Sequence, residues 1–369
     1  MQPFKLLLAS LLLLFNSLVW AIEVDNLYVA DVSADQNQRQ WQSNALGQVI
    51  TRLTGISELT EYPAIASELK NASKYVKQFE SLRQNGSSRL KVLLDARLIN
   101  DLLQQQNIAI WGAHRPEILL WIVQQQASER VFLRQSENDV VKLLLQSLSE
   151  NGIPATLPLY DIDDLMQLSE TDVWAGFWQP IEQASIRYRP DMIMTLALDE
   201  VTQDGATLLR LSWQRQSPAQ GTNQSRIVRN DVTAADVTEL VNAFSLALTR
   251  ELAAEQAVLL SSEHQTFQVT VEDIHSLADV VTVERLLSRI LGVAAVTLSE
   301  FTENEARFAV DSQIELAQLT RILQWEPALS LADTATQSDV TTTITERFDP
   351  AVELNLVSQS DARYVFIRR

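Results

Sequence analysis

Twice along this chain the spacing of apolar side chains changes in the same order: two, 3.6, two, two, 3.6. The first run covers residues 22 to 110, and the second begins near Gln265. Each reads as a strand, a helix, a hairpin and a second helix, an order that admits a small sheet backed by helices and little else. The fold class is therefore α+β, or mixed α/β: several small sheet-plus-helix units. The C-terminal unit has the β-α-β-β-α order of a ferredoxin-like half-sandwich. No residue-level repeat links the two runs.

In the first unit, residues 22–110, IEVDNLYVADVS alternates like a strand with one buried face. Asp35 or Ser33 is the expected cap of the helix that follows, in which Trp41, Ala45, Val49 and Leu53 recur at four-residue spacing. Gly55 stands where a C-cap belongs, Asn85-Gly86 marks a hairpin, and a second helix runs from about Ala96 to Gln106. The second unit, residues 111–262, begins at Trp111-Gly112 and continues into ILLWIVQ, a buried strand. A helix from about Asn138 ends at Asn151-Gly152, and IPATLPLY reads as a short strand. Next, Trp174, Phe177 or Trp178, Ile181 and Ala184 share one face of a single predicted helix that Arg189-Pro190 stops. MIMTLALDE follows as a buried strand, so this aromatic-rich stretch reads as core and not as a site. Asp204-Gly205 turns it into ATLLRLSWQR, RIVRN adds a third strand, and a long helix spans about Ala234 to Leu260. The third unit, 263–330, is the ferredoxin-like one. Residues 331–369 form a polar C-terminal extension with TTTITERF and ARYVFIRR as candidate added strands.

The chain opens with Lys5, an apolar run from Leu6 to Phe15, and Val19 and Ala21 at the −3 and −1 positions of a small-residue cleavage site. Residues 1–21 thus read as a secretory signal peptide cleaved after Ala21, with an uncleaved N-terminal anchor as the other reading. The expected location is the periplasm. The absence of Cys excludes a lipid-anchored lipoprotein, disulfides, and thiolate chemistry together, so an exported chain of this kind must be held by core packing. After the leader no apolar run is long enough for a transmembrane span. The 47 acidic residues against 29 basic ones give a net charge of −18, or −19 once Lys5 is lost. Such a surface repels phosphate backbones and anionic headgroups, so no nucleic acid is expected as a partner.

Sites of chemistry are sparse. His114, His264 and His275 are scattered and lack metal-ligand spacing, so they read as structural or exposed. Asp161, Asp163 and Asp164 could bind a hard cation, but no Gly-spaced calcium loop surrounds them, and acidic residues favour a helix N-terminus anyway. A carboxylate pair among Asp191, Asp199 and Glu200 is conceivable for acid-base work, with ion pairing to Arg187 and Arg189 the simpler account. GxSxG, phosphate-loop and dinucleotide motifs are absent, and nine glycines leave little room for them. No catalytic, cofactor-binding or metal residue is assigned, no cofactor is expected, and the reading leans away from an enzyme.

ALGQVITRLTG, an aromatic strand near Tyr75, LDARLINDLLQQQNIAIWG, ILLWIVQ, GIPATLPLYDIDD and DVWAGFWQPIEQASIRYRPD follow one another from residue 22 to about 255. This series resembles the bacterial exported family known only as domain of unknown function 2066 (DUF2066), with DVWAGF and ASIRYRPD its most specific blocks. The resemblance implies a Gram-negative envelope protein and transfers no functional residue. More loosely, the helix, ASIRYRPDMIMTLALDE and the hairpin resemble non-enzymatic α/β modules of envelope assembly machinery.

Two functions compete. One is a non-enzymatic periplasmic interaction or accessory protein of the cell envelope, docking through sheet edges or the surface around Trp111 and Trp121. The other is a small-molecule or glycan-binding module, with hydrolysis an option, using a cleft between the first and second units. Partner, process and oligomeric state are not legible.

Overall fold

The computed structural model describes residues 26–84, 87–134, 138–203, 205–218, 225–326, 328–332 and 361–367. The leader, the Asn85-Gly86 corner and TTTITERF lie outside the described residues. The fold is mixed α+β, with three sheets and ten α-helices among the described residues. No helix among them is long and apolar enough to cross a membrane.

The first sheet has the order β1-β3-β2, all antiparallel, from β1 (Val29–Ser33), β2 (Val76–Gln84) and β3 (Ser87–Leu94). Helix α1 (Gln38–Thr54) lays Ala45, Leu46, Val49, Ile50 and Leu53 on its inner face, all fully buried. Its cap is Asn37, whose side chain accepts from Gln40 N, and not Ser33 or Asp35. Ser33 is the last residue of β1, and its hydroxyl turns back to Asp35 N, so neither residue reaches the first turn of the helix. Gly55 closes α1 at φ 71°, as expected. Helix α2 (Pro63–Lys70) was not legible, because only Ile65 of its eight residues is buried and no apolar stripe develops. Helix α3 (Ala96–Gln105) follows the hairpin with Asp95 as its cap.

The central sheet runs β5-β4-β7-β8-β9, with β6 beside β4, from β4 (Ile118–Gln126), β5 (Glu129–Phe132), β6 (Ala155–Thr156), β7 (Met192–Gln203), β8 (Ala206–Pro218) and β9 (Ser225–Ala234). Strands β4 and β7 are parallel neighbours and are apolar on both faces because both faces are covered. On one side Leu120, Ile122, Met194 and Leu196 pack under α4 (Asp139–Glu150) and the long α8 (Val237–Gln256). On the other, Leu119, Trp121 and Val123 meet Tyr160, Leu168, Val173 and Ile181 from α5 (Ile162–Gln167), α6 (Glu170–Ala175), α7 (Trp178–Ser185) and their flanks. The single helix predicted across Trp174 to Ala184 is two, α6 and α7, separated at Gly176. That glycine sits at φ 69°, where a side chain would run into Gln214. IPATLPLY forms only the two-residue β6, since Pro154 and Pro158 withhold ladder donors on either side.

The third sheet has the order β11-β12-β10-β14-β13, from β10 (Gln265–Glu272), β11 (Val293–Phe301), β12 (Glu305–Ser312), β13 (Leu329–Leu331) and β14 (Asp361–Phe366). Helices α9 (Leu277–Ser288) and α10 (Leu316–Leu323) complete the expected β-α-β-β-α order. The added strand in ARYVFIRR does not extend an edge. It lies parallel to β10, between β10 and β13, and turns Ala362, Tyr364 and Phe366 into the core.

The first and central sheets meet at two buried arginines. Arg52, in the last turn of α1, donates to the carbonyls of Glu150, Asn26, Leu27 and Val29. Arg115 donates to Gly112, Asn151, Gly152, Arg52 and Trp111. The carbonyls at the ends of α1 and α4 converge on these two cations, where the helix dipoles are negative.

Candidate functional site

The three histidines and the strand carboxylates singled out in the sequence do not converge. His114 meets Glu326 at 3.0 Å, His264 meets Asp311 at 3.0 Å and His275 meets Asp273 at 3.1 Å, three separate His–carboxylate contacts. Asp191 precedes β7 and accepts from Glu117 N at 3.0 Å, whereas Asp199, eight residues along that strand, pairs with Arg210 opposite it on β8. At about 3.3 Å per residue the two carboxylates stand roughly 26 Å apart, so no acid-base pair forms between them. Arg187, one of the two expected partners, is engaged elsewhere. The carboxylate pair that does form, Glu117 with Asp191, joins the residues preceding two parallel strands. Burial first, and Asp191 second, hold the Glu117 carboxyl above its ordinary range.

Arg187 closes on the acidic cluster. Its two terminal nitrogens donate to both oxygens of Asp161 at 2.8 and 2.9 Å, and Nη1 reaches Asp164 Oδ1 at 3.2 Å. Asp161 also caps α5 by accepting from Asp164 N, and Tyr188 Oη donates to Asp164 Oδ2 at 2.5 Å while accepting from Leu159 N. The hydrogen bond from Arg187 holds the Asp161 carboxyl below its usual range. Burial, then the bond to Asp164, pushes the Tyr188 phenol up to about 12. The carboxylates of Asp161 and Asp164 are committed to Arg187 and Tyr188, and this cluster is a clasp tying α5 to the turn after α7.

What the clasp holds out is apolar. Leu159 is 69% exposed, Ile162 74%, Met166 80% and Ile186 63%, with Leu165 and Phe177 also exposed. Ile162 and Met166 are four apart on α5 and so share a face, Leu159 precedes that helix, and α5 packs beside α7. Between Leu159 and Ile186 there are six acidic residues and no Lys, Arg or His. Trp111 and Trp121, expected at a docking surface, are 1% and 0% exposed instead. Each satisfies its indole N–H internally, on Gln256 Oε1 and Ser185 Oγ, both at 2.9 Å. A helix of six residues cannot bury both its faces, and that was the available signal for the knuckle at Ile162 and Met166.

A cleft of about 630 Å³ opens where the first and second units meet, and the third supplies its far wall. Its floor is one face of α8 at Arg250, Ala253 and Ala254. The loop after Gly55 stands on one side, and Gln318 and Arg321 of α10 on the other. Gly55 is required there: a Cβ would lie 2.8 Å from the Arg250 Cα.

A family described as a domain of unknown function (DUF8605) matches residues 21–112. This corrects the resemblance to DUF2066, a different family. DVWAGF and ASIRYRPD, the blocks that carried most of that resemblance, lie outside the matched range. In the structure they are a glycine-ended helix and a proline-stopped turn, local signals common to many unrelated folds. No curated protein matches the sequence. A solved structure of an uncharacterized protein aligns at 12% identity over 38% of this chain and 98% of its own. Its TM-score of 0.16 is too low to show a shared fold.

Proposed function

We propose that the chain is a non-enzymatic accessory protein of the periplasm that docks on a protein partner through the knuckle at Leu159, Ile162, Met166 and Ile186. The observation that carries this reading is the exposure of four large apolar side chains on a backbone clamped by Arg187. Exposed apolar groups held rigid lose little conformational entropy when covered. Arg187 at the edge of this stretch offsets Asp161 and Asp164, and the acidity left by Glu170, Asp172 and Glu182 favours a partner whose apolar groove is edged by Lys or Arg. Export is supported by the leader pattern alone.

The test is affinity capture of tagged protein from gently crosslinked cells, with quantitative mass spectrometry, for the wild type and an Ile162→Glu/Met166→Glu double variant. One complex enriched by the wild type and lost with the variant supports docking here. An eluate equal to the untagged control sinks the interaction reading, and capture retained by the variant moves it off the knuckle. Flotation with phosphatidylcholine vesicles that the variant abolishes would assign the knuckle to lipid instead.

A further inference from the structure

The three-unit cleft holds four formal charges that do not pair. Arg250 and Arg321 line it together with Glu58 and Glu61. Among the described residues, none of the four lies within 4.0 Å of an opposite charge. Arg250, Glu58 and Glu61 are exposed, and none of them makes a side-chain hydrogen bond among the described residues. Arg321 is half-buried and fixed: Nη2 donates to the Ala257 carbonyl at 2.6 Å, and Nε is buried with no partner among the described residues. Arg250 and Ala257, the residue just after α8, are seven positions apart, about 10 Å along the helix axis. Ala253 and Ala254 between them leave a shallow apolar floor.

Glu58, Glu61 and Arg250 are exposed and screened by water, so nothing compels them to pair, and all three stand free to meet a ligand. Arg250 belongs to α8 of the second unit, Glu58 and Glu61 to the loop of the first, and Arg321 to α10 of the third. The backbone contact at Gly55 fixes the first two relative to each other. The cleft is therefore lined by charges of both signs from three units, and a ligand carrying both signs would satisfy both sets at once.

We propose that this cleft binds a small zwitterion of the amino-acid or short-peptide class. The fixed guanidinium of Arg321 seats the carboxylate, and the free Arg250 side chain closes over it. Glu58 and Glu61 take the ammonium, and small apolar side chains lie over Ala253 and Ala254. A polyanion is disfavoured by the two glutamates, and a polycation by the two arginines. This site is independent of the knuckle, which draws on other residues.

The experiment is calorimetric titration and thermal unfolding of the purified protein with three probes: Ala-Ala-Ala, its N-acetylated form and its C-terminal amide. The free tripeptide is expected to bind saturably and raise the melting temperature by mass action, with each blocked form about tenfold weaker or more. Arg250→Gln is expected to weaken the free tripeptide by about tenfold and leave the amide unchanged, because the amide has no carboxylate to lose. The Glu58→Gln/Glu61→Gln variant is expected to weaken the free tripeptide and leave the acetylated one unchanged. Both variants alter exposed side chains that make no bond, so unliganded melting temperatures should match wild type. No saturable binding of the free tripeptide overturns the proposal, as does equal binding of the blocked forms, or indifference to both variants.

Discussion

The guanidinium of Arg115 lies 3.7 Å from the centre of the Trp111 ring. It is fully buried, donates to five backbone carbonyls and, among the described residues, has no carboxylate partner. Burial, reinforced by the neighbouring Arg52, holds its pKa well below the ordinary arginine value. The carbonyls it satisfies belong to the ends of α1 and α4 and to the segment between the first two units, so one side chain secures three pieces of chain. Replacement by Met keeps volume but leaves those carbonyls dry. The expected loss is about 3–5 kcal/mol, read as a lower urea midpoint. Arg115→Lys should recover only part of it, since an ammonium cannot reproduce the planar fork.

The knuckle variants should behave in the opposite way. Ile162→Glu and Met166→Glu change side chains that touch solvent, so unfolding free energies should stay within about 0.5 kcal/mol of wild type while partner capture is lost. Loss of stability on that scale or beyond would mean that these side chains are structural.

Glu117 gives a pH signature. Its folded-state pKa is raised from the ordinary 4.5, chiefly by burial and then by Asp191. The folded protein therefore favours the protonated acid. The stability linked to this group is fully present below 4.5, and it is lost as pH climbs through the raised value. Glu117→Gln should accordingly be more stable than wild type at pH 7, with the advantage vanishing near pH 4. Urea titrations at the two pH values check this, and an advantage equal at both would refute the assignment.

In the third sheet Tyr364 is 1% exposed on β14. Tyr364→Ala should cost about 3–5 kcal/mol and expose β10, giving new cleavage sites in limited proteolysis of this unit. Unchanged protease resistance would mean that the strand is dispensable.

Period signals carried most of the fold. The alternation in β10 and β12, the four-residue stripe of α1 and the two-sided apolar run of β4 and β7 each follow from which faces are covered. Spacing alone could not see Gly176, because Trp174, Trp178, Ile181 and Ala184 keep helical intervals across a residue that ends the helix. The site was less legible for a related reason. Hydrophobicity says that a side chain seeks cover, not whether the fold provides it, so Trp111 and Ile162 look alike in sequence and differ entirely in exposure. The DIDD cluster drew notice as a candidate cation site, yet its importance lies in what Arg187 makes it hold in place.

Strand β14 starts thirty residues after β13 ends, yet sits between β13 and β10. A chain emerging from a narrow exit delivers β10, both helices and β13 first, leaving a strand-wide gap between β10 and β13. Until the later segment arrives, β10 offers a bare line of amides and carbonyls to any extended chain nearby. The pace at which this unit becomes safe from mispairing is therefore set by delivery of the polypeptide more than by the propensity of its strands. A chaperone guarding that edge would be needed for as long as the gap lasts, and no longer.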